Sequence, residues 1–192
     1  MEIKNKHIVI LTGKARSGKN ASADIVKNYA ENKGLKHINL AYGDYIKEYA
    51  KRIVNWDGNE ETKPRTLLQE LGTDIIRKEL GNLFFVEKMI DDITVYSYYF
   101  DIITISDARF EFEIDEIKKE FDNVVSISVE RPNFDNGLTD IQKAHPSETG
   151  LDNYDKFDYK VINDKGLKEL EENIIKIMEE ICNLKTYTYP SL

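Results

Sequence analysis

Short apolar runs and amphipathic stretches alternate along most of the chain. His7 to Thr12 is a β-branched, apolar run stopped by Gly13, the pattern of a strand covered on both faces. From Lys19 to Asn32, the residues Ala21, Ala23, Ile25, Val26, Tyr29 and Ala30 recur at helical spacing before Lys33-Gly34, which predicts a helix with a glycine stop. A second strand is expected at His37 to Leu40. Asp44 is placed to cap a helix that runs to about Val54, where the polar stretch from Asn55 to Lys63 breaks it. Pro64 opens a further helix through Leu67, Leu68, Leu71, Ile75 and Ile76 to Leu80-Gly81, and Phe84 to about Tyr98 gives another.

Buried-strand patterns return at Ile102 to Ser106, Val124 to Val129 and Phe157 to Ile162, with helices expected at Phe112 to Phe121 and Leu167 to Leu184. Strands and helices thus alternate along the chain. That order predicts a three-layer α/β fold: a five-stranded parallel sheet with right-handed crossovers and helices on both faces, in one domain spanning residues 1–192. Between Arg131 and Lys156 the periodicity disappears, and Pro132, Gly137, Pro146 and Gly150 stand among several Asn and Asp. A loop of that length in a compact domain is a lid or binding loop more often than filler, and mobility without ligand is expected of it. His145 and Glu148 lie within it; the histidine is read as a hydrogen-bonding hinge residue, and neither is read as catalytic. Lys185 to Leu192 reads as a frayed tail.

Composition narrows the function classes. The formal net charge of −8 argues against non-specific affinity for nucleic acid or anionic membrane, so any anion site must be local. The longest apolar run near the N-terminus, Ile8 to Leu11, is too short for a signal peptide or a membrane span, and a cytoplasmic location is expected. The single cysteine, Cys182, leaves no internal disulfide and no Cys-rich zinc site, and is expected in the core of the last helix. Positive charge is mostly lysine. The six arginines are Arg16, Arg52, Arg65, Arg77, Arg109 and Arg131, and each offers a planar fork that grips phosphate at two points.

Gly13-Lys14-Ala15-Arg16-Ser17-Gly18-Lys19-Asn20 fits G-x-x-x-x-G-K between a buried strand and a helix start. Chemistry explains the spacing. The glycines let successive N–H groups converge on one concavity, the helix that opens with Lys19, Asn20 and Ala21 adds partial positive charge, and Lys19 reaches the β and γ phosphates of a nucleotide. Asn20 stands where Ser or Thr usually offers a hydroxyl to Mg²⁺, although an amide oxygen also meets a hard cation. Asp107, at the C-terminal end of a predicted buried strand, is the best carboxylate for the same metal, and Arg109 follows two residues later. Arg65 and Arg77 are twelve residues apart, roughly 120° around an ideal helix, so they share a face only if the helix is interrupted near Gly72.

In order along the chain, Lys14 to Asn20, the Arg65 to Arg77 stretch, Ser106-Asp107-Ala108-Arg109-Phe110 and Val161-Ile162-Asn163-Asp164 resemble the deoxynucleoside monophosphate kinases of bacteriophage type, over about residues 7 to 175. The resemblance implies the P-loop kinase fold, ATP with Mg²⁺ as phosphoryl donor and a nucleoside monophosphate as acceptor. It implies that Arg65, Arg77 and Arg109, with Gln69 and Thr73, handle the acceptor, and that Asn163 lies near adenine. It also accommodates Asn20, since Asp or Asn after the P-loop lysine is familiar in that family. The sequence departs from it in having Phe85-Val86 for the common Trp-Val and in a short stretch between Asn55 and Lys63. A second, partial resemblance, to the animal-type phosphomevalonate kinases, is carried by Ser147 to Tyr154, Phe157-Asp158-Tyr159 and Val161-Ile162. It shares the fold and takes a different acceptor.

The chemistry so outlined is the joining of two anions. Mg²⁺, Lys19, Arg16 and the other arginines offset their repulsion, with Arg131 swinging in as the lid closes. A nucleotide-dependent binding or regulatory module is the third class, and the joint presence of Lys19, Asp107 and Arg131 argues against it. The sequence leaves base, sugar and oligomeric state open.

Overall fold

The computed structural model describes residues 6–183; the expected tail at Lys185 to Leu192 and the last helical residue, Leu184, lie outside the described residues. Strands β1 (His7–Thr12), β2 (His37–Leu40), β3 (Ile102–Ala108), β4 (Val124–Glu130) and β5 (Tyr159–Ile162) form one parallel sheet in the order β2-β3-β1-β4-β5. β1 is central and every one of its residues is buried, as its unbroken apolar run requires. Its alternate side chains feed two cores. Ile8 and Ile10 pack with Ile103, Ile105, Phe85 and Met89 on one face, while Val9 and Leu11 pack with Val26, Ile127, Val161 and Ile174 on the other.

Helices α1 (Lys19–Asn32) and α9 (Leu167–Asn183) cover the second face. Cys182 is half-buried there against that core. The first face carries α2 (Tyr42–Val54), α5 (Phe84–Tyr96) and α6 (Glu111–Glu120). Phe85, which stands for the expected Trp, is fully buried, stacked on Tyr45 and edge-on to Phe84. Among the described residues no helix is long and apolar enough to cross a membrane.

Three elements differ from the sequence reading, each for a physical reason. α2 starts at Tyr42, with Ala41 as its N-cap, and Asp44 sits inside the first turn. The cap comes from another strand: Asp107 accepts the N–H groups of Tyr42 and Gly43, both at 2.8 Å. The helix after Pro64 is α3 (Arg65–Gln69), a π-helical stretch Glu70–Arg77 and a last turn α4 (Lys78–Leu80). Gly72 does not break it. The chain is underwound there instead, and a Cβ on Gly72 would lie 2.7 Å from Ile46 Cδ1, so the glycine permits close approach of α2. The expected structureless loop contains two short helices, α7 (Asp140–Lys143), capped by Thr139, and α8 (Pro146–Thr149), capped by His145 Nδ1.

Candidate active site

The loop between β1 and α1 emerges at the C-terminal edge of the sheet, between the ends of β3 and β4. Its shape depends on two glycines. Gly13 has φ +134 and a Cβ there would stand 2.2 Å from Val129 O; Gly18 has φ +117 and a Cβ there would stand 2.6 Å from Asn163 Nδ2. Asn163, just past β5, donates to Ser17 O at 2.8 Å and fastens the loop from below. Its amide is therefore committed to the loop backbone.

Lys19 is buried, and its Nζ donates to Gly13 O and Lys14 O, both at 2.8 Å, inside the curl it is expected to serve. Burial, and then the charge of Arg109, lower its pKa to about 7, against the opposing pull of Glu148 and Asp107. Arg16 adopts a left-handed φ of 60 and is exposed; Asn20 is exposed beside it. Arg109 Nη1 donates to Gly13 O at 3.2 Å and to Glu148 Oε1 at 3.0 Å, and Glu148 Oε2 accepts the Ala15 N–H at 3.0 Å. Glu148, set outside the chemistry on sequence grounds, thus lies in the cradle. Its only signal was an acid within a Gly- and Pro-containing loop.

A cavity of about 770 Å³ opens on the α2 side of the loop. Ala15, Arg16, Lys19 and Asn20 line it together with Arg65, Gln69, Thr73, Arg77, Asp107 and Arg109, so every residue expected to handle the acceptor shares one space with the cradle. Arg65 pairs with Glu60 at the rim. The π-helical stretch is what lets Arg65 and Arg77 face the same cavity despite their spacing. Arg77 is the departure from expectation. Its guanidinium is buried, donates to Gly72 O at 2.8 Å and Glu113 Oε1 at 2.5 Å, and lies over the rings of Phe85 and Phe110. Glu113, which no sequence pattern singles out, also accepts the N–H of Arg109 at 2.7 Å; burial pushes its carboxyl pKa up while Arg77 pulls it down.

Asp107 lines the same cavity, and burial raises its pKa although two N–H bonds oppose the shift. A second cavity of about 360 Å³ lies beyond the loop, with Lys14, Arg131, Phe134, Tyr154 and Lys160 on its walls. Arg131 is exposed and stacks on Phe134 at 3.6 Å. Thr12 and Ser17 border this second cavity, and their hydroxyl oxygens are buried without a hydrogen-bond partner among the described residues. Of the expected site residues, only Ala21, Gly18 and Asn163 line neither space.

Residues 31–174, three quarters of the chain, match the family described as Deoxynucleotide monophosphate kinase. This chain belongs to that family. The kinase is 27% identical over 202 residues to a protein of Acanthamoeba polyphaga mimivirus named as a candidate deoxynucleotide monophosphate kinase, covering 92% of this chain and 98% of the relative. Among solved structures it is similar to the APS kinase of Mycobacterium tuberculosis in complex with AMPPNP and APS (TM-score 0.51, 16% identity, 91% of this chain and 98% of that one). A gluconokinase of Sinorhizobium meliloti is similar at TM-score 0.51 and 12% identity, over 96% and 98%. Shikimate kinase of Acinetobacter baumannii follows at TM-score 0.50 and 14%, over 95% and 97%. At these identities the likeness is one of fold, the three-layer P-loop kinase fold, and with the family it makes the chain a phosphotransferase.

Proposed function

We propose that this kinase transfers the γ-phosphoryl group of ATP to a nucleoside or deoxynucleoside monophosphate. One observation carries the reading: the loop Gly13 to Asn20 and the arginine-lined cavity of about 770 Å³ are one continuous space, of a size suited to a nucleotide. Donor phosphates lie over the loop's N–H groups and Lys19, with adenine toward the second cavity beyond the loop, near the end of β4; Asn163, whose amide holds Ser17 O, supports the loop and does not meet the base. The acceptor's phosphate meets Arg65 and Arg109, while Ile46, Leu68 and Phe110 offer an apolar wall for its base and Gln69 and Thr73 polar contacts.

Phosphoryl transfer asks for positioning and charge neutralisation more than for a base. A phosphate monoester with a second pKa of about 6 is already ionised at neutral pH, so the acceptor oxygen needs no proton removed. Lys19, Arg16 and Arg109 converge on the point where donor and acceptor anions approach, and Arg131 is the charge at the lid's start that reaches them on closure. Asn20 and Asp107 fit Mg²⁺: both line the cavity beside Lys19, and each Asp107 oxygen keeps a lone pair beyond its bond to α2. Bound there, the ion would neutralise charge across the phosphates. Arg77 acts from below, by holding Glu113 and the π-helical stretch in place.

A coupled assay of ADP formation over a panel of nucleoside and deoxynucleoside monophosphates, with phosphomevalonate as a further arm, tests this reading. Turnover is expected with at least one nucleotide. Turnover with phosphomevalonate alone would assign a different acceptor to the same fold.

A further inference from the structure

The cradle that should receive donor phosphate already holds a negative group. Glu148, on the single turn of α8, has a side chain only 8% exposed, and a carboxylate that deep requires partners. Those it finds are the Ala15 N–H at 3.0 Å and the Arg109 guanidinium at 3.0 Å. A second acid of the same segment, Asp152, pairs with Lys14 of the loop at 2.8 Å in a more exposed contact. Ala15, Arg109, Ser147 and Glu148 each border both cavities, so this carboxylate stands on the boundary between the two spaces.

Glu148 Oε2 already takes the one Ala15 N–H, and a phosphate brought to that donor would stand directly against the carboxylate's charge. The bonds Glu148 makes are of the charge-assisted kind, the same class that loop amides and arginine make with phosphate. We infer that Glu148 is an internal stand-in for donor phosphate, which latches α8 onto the loop in the free kinase and which a bound phosphate chain displaces. The inference rests on the reading that Gly13 to Asn20 receives the donor's phosphates. Displacement does two things at once: it hands Ala15 N–H and Arg109 to the ligand, and it frees the boundary between the cavities. Donor affinity is then lower than the cradle alone would give, because part of the interaction energy is spent in breaking the latch.

The test is the binding of tripolyphosphate, which carries the donor's charge without base or sugar, by calorimetry on the full chain. Glu148→Gln, which keeps shape and loses charge, and Glu148→Ala should each bind it about ten-fold tighter than the wild type, equivalent to about 1.4 kcal/mol. In the wild type, hydrogen exchange of residues 146–150 should speed up when tripolyphosphate is added, a readout that needs no variant to fold. Equal or weaker affinity in both variants, or slower or unchanged exchange in the wild type, overturns the latch while leaving the kinase reading intact. Absence of tripolyphosphate binding in wild type and variants alike would overturn the cradle reading, and the latch with it.

Discussion

Arg77 Nη2 and Glu113 Oε1 meet at 2.5 Å in the wall of the arginine-lined cavity, with side chains only 8% and 1% exposed. The pair ties the π-helical stretch to the start of α6, and the guanidinium is sandwiched by Phe85 and Phe110 at 5.0 and 4.5 Å. Breaking one partner of such a pair leaves a buried charge without compensation. Arg77→Ala should therefore lower stability by about 3–5 kcal/mol, read as a fall in the denaturant midpoint. A stability change within about 0.5 kcal/mol of zero would mean that Arg77 acts on the acceptor alone.

Arg65 and Arg109 are more exposed, at 34% and 23%, and their loss should be felt in kinetics before stability. Arg65→Ala is expected to raise the acceptor KM with kcat little changed. Arg109→Ala, removing a donor from between the two anions, is expected to lower kcat about a hundredfold, with Arg109→Lys rescuing poorly because a point charge cannot replace the fork. Steady-state kinetics with donor and acceptor varied separately distinguish these outcomes. Loss of donor affinity alone in both variants would put the arginines on the wrong substrate.

Lys19 supplies a pH signature. With a free-state pKa lowered to about 7, it is mostly neutral at pH 8, and phosphate anions bound against it favour the charged form. Binding of a non-hydrolysable ATP analogue should then take up a proton at pH 8 and much less at pH 6, where the lysine is already charged. Calorimetry in buffers of differing ionisation enthalpy measures this directly. The same shift makes the Lys19 contribution to stability rise with pH from about 7 toward the unfolded value of about 10.4, since the unfolded chain binds more protons across that window.

Legibility in the sequence tracked the range of the forces involved. β1, α1 and β2 end where local pattern places them, because apolar runs and a glycine stop are local signals. The start of α2 is not readable from local pattern, because its first N–H groups are capped by Asp107, on a strand 65 residues further along. The stretch from Arg65 to Leu80 reads as helix from its apolar spacing, but that spacing shows neither the π-helical winding of Glu70–Arg77 nor the close approach of Gly72 to Ile46. The loop Gly13 to Asn20 stands between β1 and α1, where its glycine spacing places it, because Gly13 and Gly18 take backbone shapes that favour glycine. Glu148 and Glu113 are not legible in the sequence, because their roles arise only where α8 and α6 meet the loop and Arg77.

The segment from Arg131 to Lys156 divides in two. Tyr154 is buried and donates to Asp115 at 2.7 Å, and Leu151 and Phe157 pack on the core, whereas Phe134 and Ile141 are 41% and 85% exposed. Fast hydrogen exchange without ligand is therefore expected over residues 133–143, and not around Tyr154. A bisubstrate analogue joining adenosine to a deoxynucleoside through phosphates should protect 133–143 together with Gly13 to Lys19. Protection of the loop without any change in 133–143 would show that this stretch is not the lid.

On the function proposed above, the loop and the arginine-lined cavity pass a phosphoryl group between two nucleotides. Following the label from γ-³²P-ATP with Mg²⁺ and a panel of deoxynucleoside monophosphates tests it most directly. The label should appear in a deoxynucleoside diphosphate, in equal amount to the ADP formed, and Lys19→Ala should abolish the transfer while its circular dichroism matches the wild type. Label released only as orthophosphate, label carried to no nucleotide, or transfer undiminished in folded Lys19→Ala would contradict the account.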